Sequence, residues 1–361
     1  MTICRNTSVD GWKSFFGEAR PFLISGPCSA ETENQVMTTA CELASAGVNV
    51  FRAGLWKPRT MPGCFEGVGA EGLPWLQRVS RATGMRICTE AGSAAHVELC
   101  LSAGLDALWI GARTTANPFL VQEIADSLSG VDIPVFIKNP VSADLDLWAG
   151  AVERLSRRGI SRIGLIHRGF STVARTAYRN NPGWHLAVEM RSRFPELPFL
   201  CDPSHMGGDV RHVEELSRKA MGIGFDGLMV ETHCDPASAL SDSAQQIRPS
   251  ELAAMLETLA VRQPGTDDSA FNAEIASLRA RIDVIDDGLV RLLAERMELS
   301  GQIGRCKDKC NIALMQPSRW DDVLSGVLNS AAERGLDAGF VTRVFNEIHE
   351  ASIWEQNKNN N

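Results

Sequence analysis

The chain has 361 residues, 44% hydrophobic and 22% charged, which excludes a disordered or collagen-like polymer and points to a globular protein of about two domains. A formal net charge of -8 and a pI near 5.5 argue against general affinity for nucleic acid or anionic membrane, but not against a local basic pocket. No apolar run reaches the ~20 residues that span a bilayer, and Asp10 and Glu18 ahead of a short apolar stretch do not make a secretory leader. Ten scattered cysteines with no CxxC pair read as the reduced thiols of a cytoplasmic protein.

Residues 1–260 repeat a short apolar run, a loop and a helical stretch. The runs begin at Pro21, Val48, Met85, Ala107, Ile133, Arg162, Pro198 and Gly227, spaced 22 to 37 residues apart. Continuously apolar strands alternating with helices predict a parallel sheet covered on both faces. Eight such units in about 240 residues fit a closed (β/α)8 barrel better than an open doubly wound sheet. Only about 20 residues precede the first run, so no separate regulatory domain is expected ahead of the barrel. Residues 261–271, with Pro264-Gly265 and Asp267-Asp268, read as a linker.

The period then changes. Ile275, Leu278, Ile282, Ile285, Leu289, Leu292, Leu299 and Ile303 follow the 3,4 spacing of a long helix packed on other helices. A second helix starts at Pro317-Ser318 and runs to about Glu333. Gly335 and Gly339 punctuate a turn, and a third helix carries Val341, Phe345 and Ile348. The fold class is therefore α/β: a (β/α)8 barrel followed by a small all-α domain of three helices over 272–358.

Barrel enzymes carry their sites at the C-terminal ends of strands. Here those ends offer Arg52, Lys57, Arg59, Arg113, Lys138 and Arg168. Each alone reads as a solvated rim charge. Six cations converging on one face of an acidic protein need anions between them, which suggests phosphorylated and carboxylated small substrates. Cys28, His205, Glu231 and Asp242 add a thiol, an imidazole and two carboxylates. That mixed set suits a divalent first-row ion such as Mn, Fe, Co or Zn better than Mg.

Seven motifs in order, Gly26-Pro-Cys-Ser-Ala-Glu31, Arg52…Lys57-Pro-Arg-Thr60, Gly111-Ala-Arg113, Lys138-Asn-Pro140, Arg168-Gly169, Asp202-Pro-Ser-His205 and Glu231…Asp242, resemble the type I-beta class of 3-deoxy-D-arabino-heptulosonate 7-phosphate (DAHP) synthases. The resemblance covers roughly residues 20–255. It implies condensation of phosphoenolpyruvate with erythrose 4-phosphate, the first step of the shikimate pathway. It implies that Cys28, His205, Glu231 and Asp242 hold a divalent metal ion. It implies that Arg113, Lys138 and Arg168 hold the phosphate of phosphoenolpyruvate, with Arg52 and Lys57 near its carboxylate. Arg59 and Thr60 would then take the phosphate of erythrose 4-phosphate. Lys57 would lie beside the reacting aldehyde and donate a proton if burial among cations lowers its pKa. The related 3-deoxy-octulosonate 8-phosphate synthases carry a Lys-Ala-Asn-Arg type motif where this chain has Lys57-Pro-Arg-Thr60, which favours the DAHP reading.

On the long helix, the 3,4 spacing lands on Arg296 and Lys307, 11 residues apart and so on one face. Unpaired, two cations at core positions would cost several kcal/mol. Arg279 lies 28 residues from Lys307, about 42 Å along a straight helix. It cannot serve the same pocket in one chain, which points to a two-fold dimer. Ser352 and Gln356 continue an apolar stripe on the last helix. A polar-specified bundle core explains these positions equally well from spacing alone.

Leu278-Arg279, Ile282-Asp283, Ile285-Asp286, Arg296, Lys307, Arg319, Gly335-Leu336, Ser352 and Gln356 resemble the all-helical chorismate mutases, over about 272–358. The resemblance implies that Arg296 and the partner chain's Arg279 bind two carboxylates, while Lys307 and Gln356 donate to the ether oxygen. Arg319 and Ser352 complete the substrate set. Many members have Glu directly after the Arg at 319, where it meets the substrate hydroxyl; this chain has Trp320. The joint expectation is a bifunctional enzyme with chorismate as its other substrate and prephenate as an effector of the barrel. The alternative keeps the synthase and makes the helical domain a non-catalytic chorismate- or prephenate-sensing dimerisation module.

Overall fold

The computed structural model describes residues 9–18, 21–58, 63–172, 176–262, 265–313 and 317–358. It divides into two compact units, residues 1–264 and 265–361. Among the described residues no helix is long and apolar enough to cross a membrane.

In the first unit eight parallel strands pair in chain order: β1 (Phe22–Gly26), β2 (Val50–Arg52), β3 (Arg86–Glu90), β4 (Ala107–Ile110), β5 (Val135–Lys138), β6 (Ile163–His167), β7 (Phe199–Cys201) and β8 (Gly227–Glu231). The sheet closes where β8 joins β1, with Phe22 opposite Gly227 and Gly26 opposite Glu231. Closure excludes the open-sheet alternative. Alternate residues of each strand point outward, so Phe51, Ile87, Leu108, Ile137, Leu165 and Val230 pack under the helices. The residues between them fill the barrel: Ile24, Val50, Cys88, Trp109, Phe136, Ile166, Leu200 and Met229. Burying each large apolar side chain on both faces contributes roughly 1.5–3 kcal/mol, which is why the runs read as unbroken hydrophobics rather than alternating ones.

The floor of the barrel is closed by a segment the sequence pattern did not flag. Two short helices, Val9–Trp12 and Lys13–Phe16, turn Trp12, Phe15 and Phe16 inward. Phe16 stacks on Phe22 at 4.6 Å between ring centroids, and Trp12 meets Phe136 at 5.4 Å.

The second unit has three helices, Ser269–Lys309, Pro317–Glu333 and Ala338–Asn357. Asp268 caps the first by accepting from the amides of Ala270 and Phe271, and Asp337 caps the third by accepting from Phe340. The first helix has 41 residues against 17 and 20 for the others, so its N-terminal half runs on alone. The expected seam is consequently exposed within one chain: Leu278, Ile282, Ile285, Leu289 and Leu292 face solvent. The inner face lies further along, where Ser300, Gly301 and Gly304 are buried. Gly304 is required there, because a Cβ would sit 2.5 Å from the Gln356 carbonyl oxygen of the third helix.

Candidate active sites

Strand parity builds the barrel site. Stepping two residues up from the interior layer gives Arg52, Glu90, Gly111, Lys138, Arg168, Asp202 and Glu231 in one ring at the C-terminal mouth. An apolar strand ending in a charged residue at that position therefore aims the charge into the mouth. Gly111 keeps the ring open, since a Cβ there would meet Glu90 Oε1 at 2.1 Å.

Arg52 is 1% exposed. Its Nη2 donates to the Cys28 carbonyl at 3.1 Å and lies 3.1 Å from Glu231 Oε1, an ion pair without hydrogen-bond geometry. The guanidinium rests 4.7 Å above the Trp109 ring, and among the described residues its Nε and Nη1 have no hydrogen-bond partner. Lys138 Nζ pairs with Asp202 Oδ2 at 2.6 Å. Arg168 donates to Asn180 Oδ1 at 2.8 Å, and burial together with Arg179 and Arg113 pulls its pKa down to about 10. A cavity of about 100 Å³ opens among Lys57, Arg113, Lys138, Arg168, Arg179 and His205. A wider pocket of about 370 Å³, which includes Trp56 and His96, shares Lys57, Glu90 and Arg113 with it.

The sequence Asp202-Pro-Ser-His205 folds as a cap. Asp202 accepts from the His205 amide at 3.0 Å and Pro203 opens the short helix Pro203–Gly207. His205 Nδ1 then lies 2.8 Å from Asp202 Oδ2, off the ideal hydrogen-bond angle, and its Nε2 faces Glu231 Oε1 at 3.6 Å. Burial lowers the His205 pKa against the pull of Asp202 and Glu231, so the imidazole is neutral. Cys28 Sγ sits 3.3 Å from Asp242 Oδ2, and burial pushes the thiol up to about 12. Despite partial burial, His205 and Arg179 hold the Asp242 carboxyl well below the usual range.

The four sequence-predicted metal donors thus meet as two pairs in one mouth. Among the described residues, no three His, Cys, Asp or Glu side chains already form a closed cage. The donor types nonetheless fit a first-row ion, and Glu231 Oε1 accepts no hydrogen bond. Arg59 and Thr60 lie outside the described residues. Lys57 departs from expectation. Its Nζ is 2.9 Å from Cys28 Sγ, and Cys28 and Glu231 outweigh the lowering by burial, so its pKa is raised.

Four supporting residues carried no sequence signal. Gln246 Oε1 accepts from the Cys28 amide at 2.9 Å, and Gln245 donates to Glu231 Oε2 at 2.6 Å. Arg179 pairs with Asp242 at 2.9 Å, and Asn180 donates to the His205 carbonyl at 2.7 Å. They lie in loops without periodicity. Only the adjacency of Gln245-Gln246 to Asp242 could have marked any of them. His167, also at a strand end, is a core residue: burial pushes its pKa down to about 4.

On the helical unit, Lys307 Nζ donates to Gln356 Oε1 at 3.1 Å and Arg296 donates to the Ser352 hydroxyl. Both pairs join the first helix to the third, on the face that Gly304 brings close. Arg279 is exposed in the solitary half of the long helix. Arg319 is exposed near the start of the second helix and is not joined to the cluster by any described contact.

A closed eight-stranded barrel with a cationic mouth and a thiol–imidazole–carboxylate set defines a (β/α)8 enzyme that handles small anions. Comparison with known proteins is more specific. Residues 6–263 match the DAHP synthetase I family and residues 278–357 match the chorismate mutase type II family. The chain belongs to the DAHP synthetase I family, with a type II chorismate mutase unit following its barrel. It is 35% identical over 225 residues to the phospho-2-dehydro-3-deoxyheptonate aldolase of Thermotoga maritima, covering 62% of this chain and 64% of that protein. It is 31% identical over 281 residues to a 2-dehydro-3-deoxyphosphooctonate aldolase of a Geobacter species, covering 71% of this chain and 97% of that one. The crystal structure of the Thermotoga maritima DAHP synthase superposes with a TM-score of 0.60 at 33% identity, over 65% of this chain and 67% of that one.

Proposed function

We propose that the chain is a cytoplasmic, bifunctional shikimate-pathway enzyme. Residues 1–260 condense phosphoenolpyruvate, erythrose 4-phosphate and water to DAHP and phosphate, and residues 272–358 rearrange chorismate to prephenate. The observation carrying the first half is the mouth ring, in which a buried Arg52 has two nitrogens without hydrogen-bond partners among the described residues, in the same ring as Lys138 and Arg168. Lys57-Pro-Arg-Thr60 favours the erythrose 4-phosphate reaction over that of the octulosonate relatives.

Arg113, Lys138 and Arg168 hold the phosphate of phosphoenolpyruvate, and Arg52 and Lys57 its carboxylate. Two fixed anion grips orient the methylene carbon of phosphoenolpyruvate toward the aldehyde, a positioning effect that alone supplies several kcal/mol. Arg59 and Thr60 hold the other end of the aldehyde substrate by its phosphate. Cys28, His205, Glu231 and Asp242 hold a divalent ion, Mn, Fe, Co or Zn, which when bound polarises the aldehyde oxygen as a Lewis acid. The raised pKa keeps Lys57 an ammonium, so it reaches the reaction with a proton to give to the new alkoxide. Water then adds to the neighbouring carbon, which bears the phosphate and has become cationic; the water gives up a proton, and the phosphate departs with its bridging oxygen as that C–O bond breaks.

In the helical unit Arg296, Arg319 and the partner's Arg279 bind the two carboxylates, with Ser352 orienting Arg296. Lys307 and Gln356 face the ether oxygen where negative charge grows as its C–O bond breaks. The exposed apolar half of the long helix fits the two-fold homodimer that brings Arg279 to the second site. Prephenate bound there is the effector that lowers synthase turnover.

The test measures phosphate release from the two phosphorylated substrates, and chorismate loss, on one preparation with and without chelator. Chelator-sensitive phosphate release with chelator-insensitive chorismate loss supports both halves. Chorismate or prephenate binding without turnover would leave the helical unit a sensor, a reading that Trp320 in the hydroxyl-facing place favours.

A further inference from the structure

The first, second and third helices of the C-terminal unit meet around a pair of rings that the reaction above does not use. Trp320 lies flat on His349, with ring centroids 4.0 Å apart and planes inclined by 16°. His349 stands three residues before Ser352 and seven before Gln356, so all three side chains leave one face of the third helix. That face is the one that meets Arg296 and Lys307. His349 is only partly exposed, and among the described residues neither ring nitrogen has a hydrogen-bond partner.

Stacking fixes the plane of an imidazole and leaves only its in-plane edge to bond. An edge within the field of Arg296, on the helix face that carries Ser352, with both nitrogens unclaimed among the described residues, is a recognition element for a neutral polar group, because carboxylates in this cluster have cations to meet. Burial, and then the field of Arg296, lower the His349 pKa, which agrees with a neutral ring offering one donor and one acceptor.

We infer that His349, held by Trp320, is a specificity-determining residue of the helical site that hydrogen-bonds the ring hydroxyl of its substrate. The inference rests on the mutase reading of the site. It makes Trp320 a positioning residue rather than a lost contact, and it assigns to the third helix a task that an acidic side chain on the second helix would otherwise perform. A neutral partner suits a hydroxyl flanked by carboxylates, since it adds no further negative charge to repel them.

The experiment compares the full-length wild type with His349→Ala, His349→Gln, Trp320→Phe and Trp320→Ala, on chorismate and on its 4-deoxy analogue. One neutral hydrogen bond is worth about 3- to 10-fold, so His349→Ala should lower kcat/KM for chorismate by that factor, mostly through KM. The analogue, lacking the hydroxyl, should show no such loss. His349→Gln should recover part of it, and Trp320→Phe should retain activity that Trp320→Ala loses. Thermal melting of each variant checks the fold. Unchanged kcat/KM on chorismate overturns the inference, and so does an equal loss on both substrates, which is the signature of packing alone. Failure of the wild type to bind or turn over chorismate overturns the mutase reading itself, a result distinct from either.

Discussion

The barrel mouth and the helical site solve the same problem, holding cations together without their anions, in opposite ways. In the barrel three of the charges have an acidic neighbour: Lys138 has Asp202, Arg179 has Asp242, and Arg52 has Glu231 besides an aromatic face. The cluster is prepaid within one chain. On the helices, Arg296 donates to the Ser352 hydroxyl and Lys307 to the Gln356 side-chain oxygen, both neutral groups. These two cations are half-exposed, and Arg279 and Arg319 are exposed. A cation as deeply buried as Arg52 or Lys138 needs a counter-ion of its own, a demand that exposure to water relaxes.

The sharpest way to break this contrast is to remove one group from each side. Glu231→Ala, or a strong chelator, should lower phosphate release by about 10³-fold or more while chorismate loss is unchanged. Loss of both activities would mean the sites are not separable. Lys307→Ala should lower mutase kcat/KM by about 10²–10³-fold with phosphate release intact. Residual mutase activity above a tenth would remove Lys307 from its role.

Sharing can be read by complementation. Arg279→Ala and Lys307→Ala chains, each inactive as a mutase, should on mixing recover about a quarter of wild-type turnover, because half the dimers regain one intact site. No recovery would place both residues in one chain's pocket. A smaller effect concerns stability. Gly304→Val should force the first and third helices apart, costing about 2–3 kcal/mol and lowering the C-terminal unit's melting by roughly 10–20 °C without moving the barrel's. Smaller still is a pH effect in the barrel. His167 is held neutral by burial, with its pKa pushed from 6.5 to about 4. Its contribution is therefore complete above pH 6.5 and falls as pH drops toward 4, on the order of 3 kcal/mol in all. Between pH 6.5 and 5 the barrel of His167→Gln should show a flatter melting-temperature profile than wild type, and parallel profiles would count against this.

Much of the barrel was legible because two periodicities coincide. A run such as Val135-Phe-Ile-Lys138 says strand through its apolar residues, and its parity says that Lys138 shares the inward side of Phe136. The same arithmetic places Arg52 above Val50 and Glu231 above Met229. Arg179, Asn180, Gln245 and Gln246 were not legible, because they obey no period and reach partners 63, 25, 14 and 218 residues away. Trp12, Phe15 and Phe16 were missed because four-residue helices leave no repeat to read. On the long helix the seam was legible but its occupant was not. The 3,4 pattern says that Leu278 to Leu292 wants cover, and a single sequence does not distinguish its own second helix from a second copy.

The aromatic floor formed by Trp12, Phe15, Phe16 and Phe136 leaves the barrel with one doorway. Anything held in the cavity among Lys57, Arg113, Lys138 and Arg168 therefore enters and leaves through the same mouth. The direction of traffic is set in part at the far end of the barrel, by side chains that do not line that cavity.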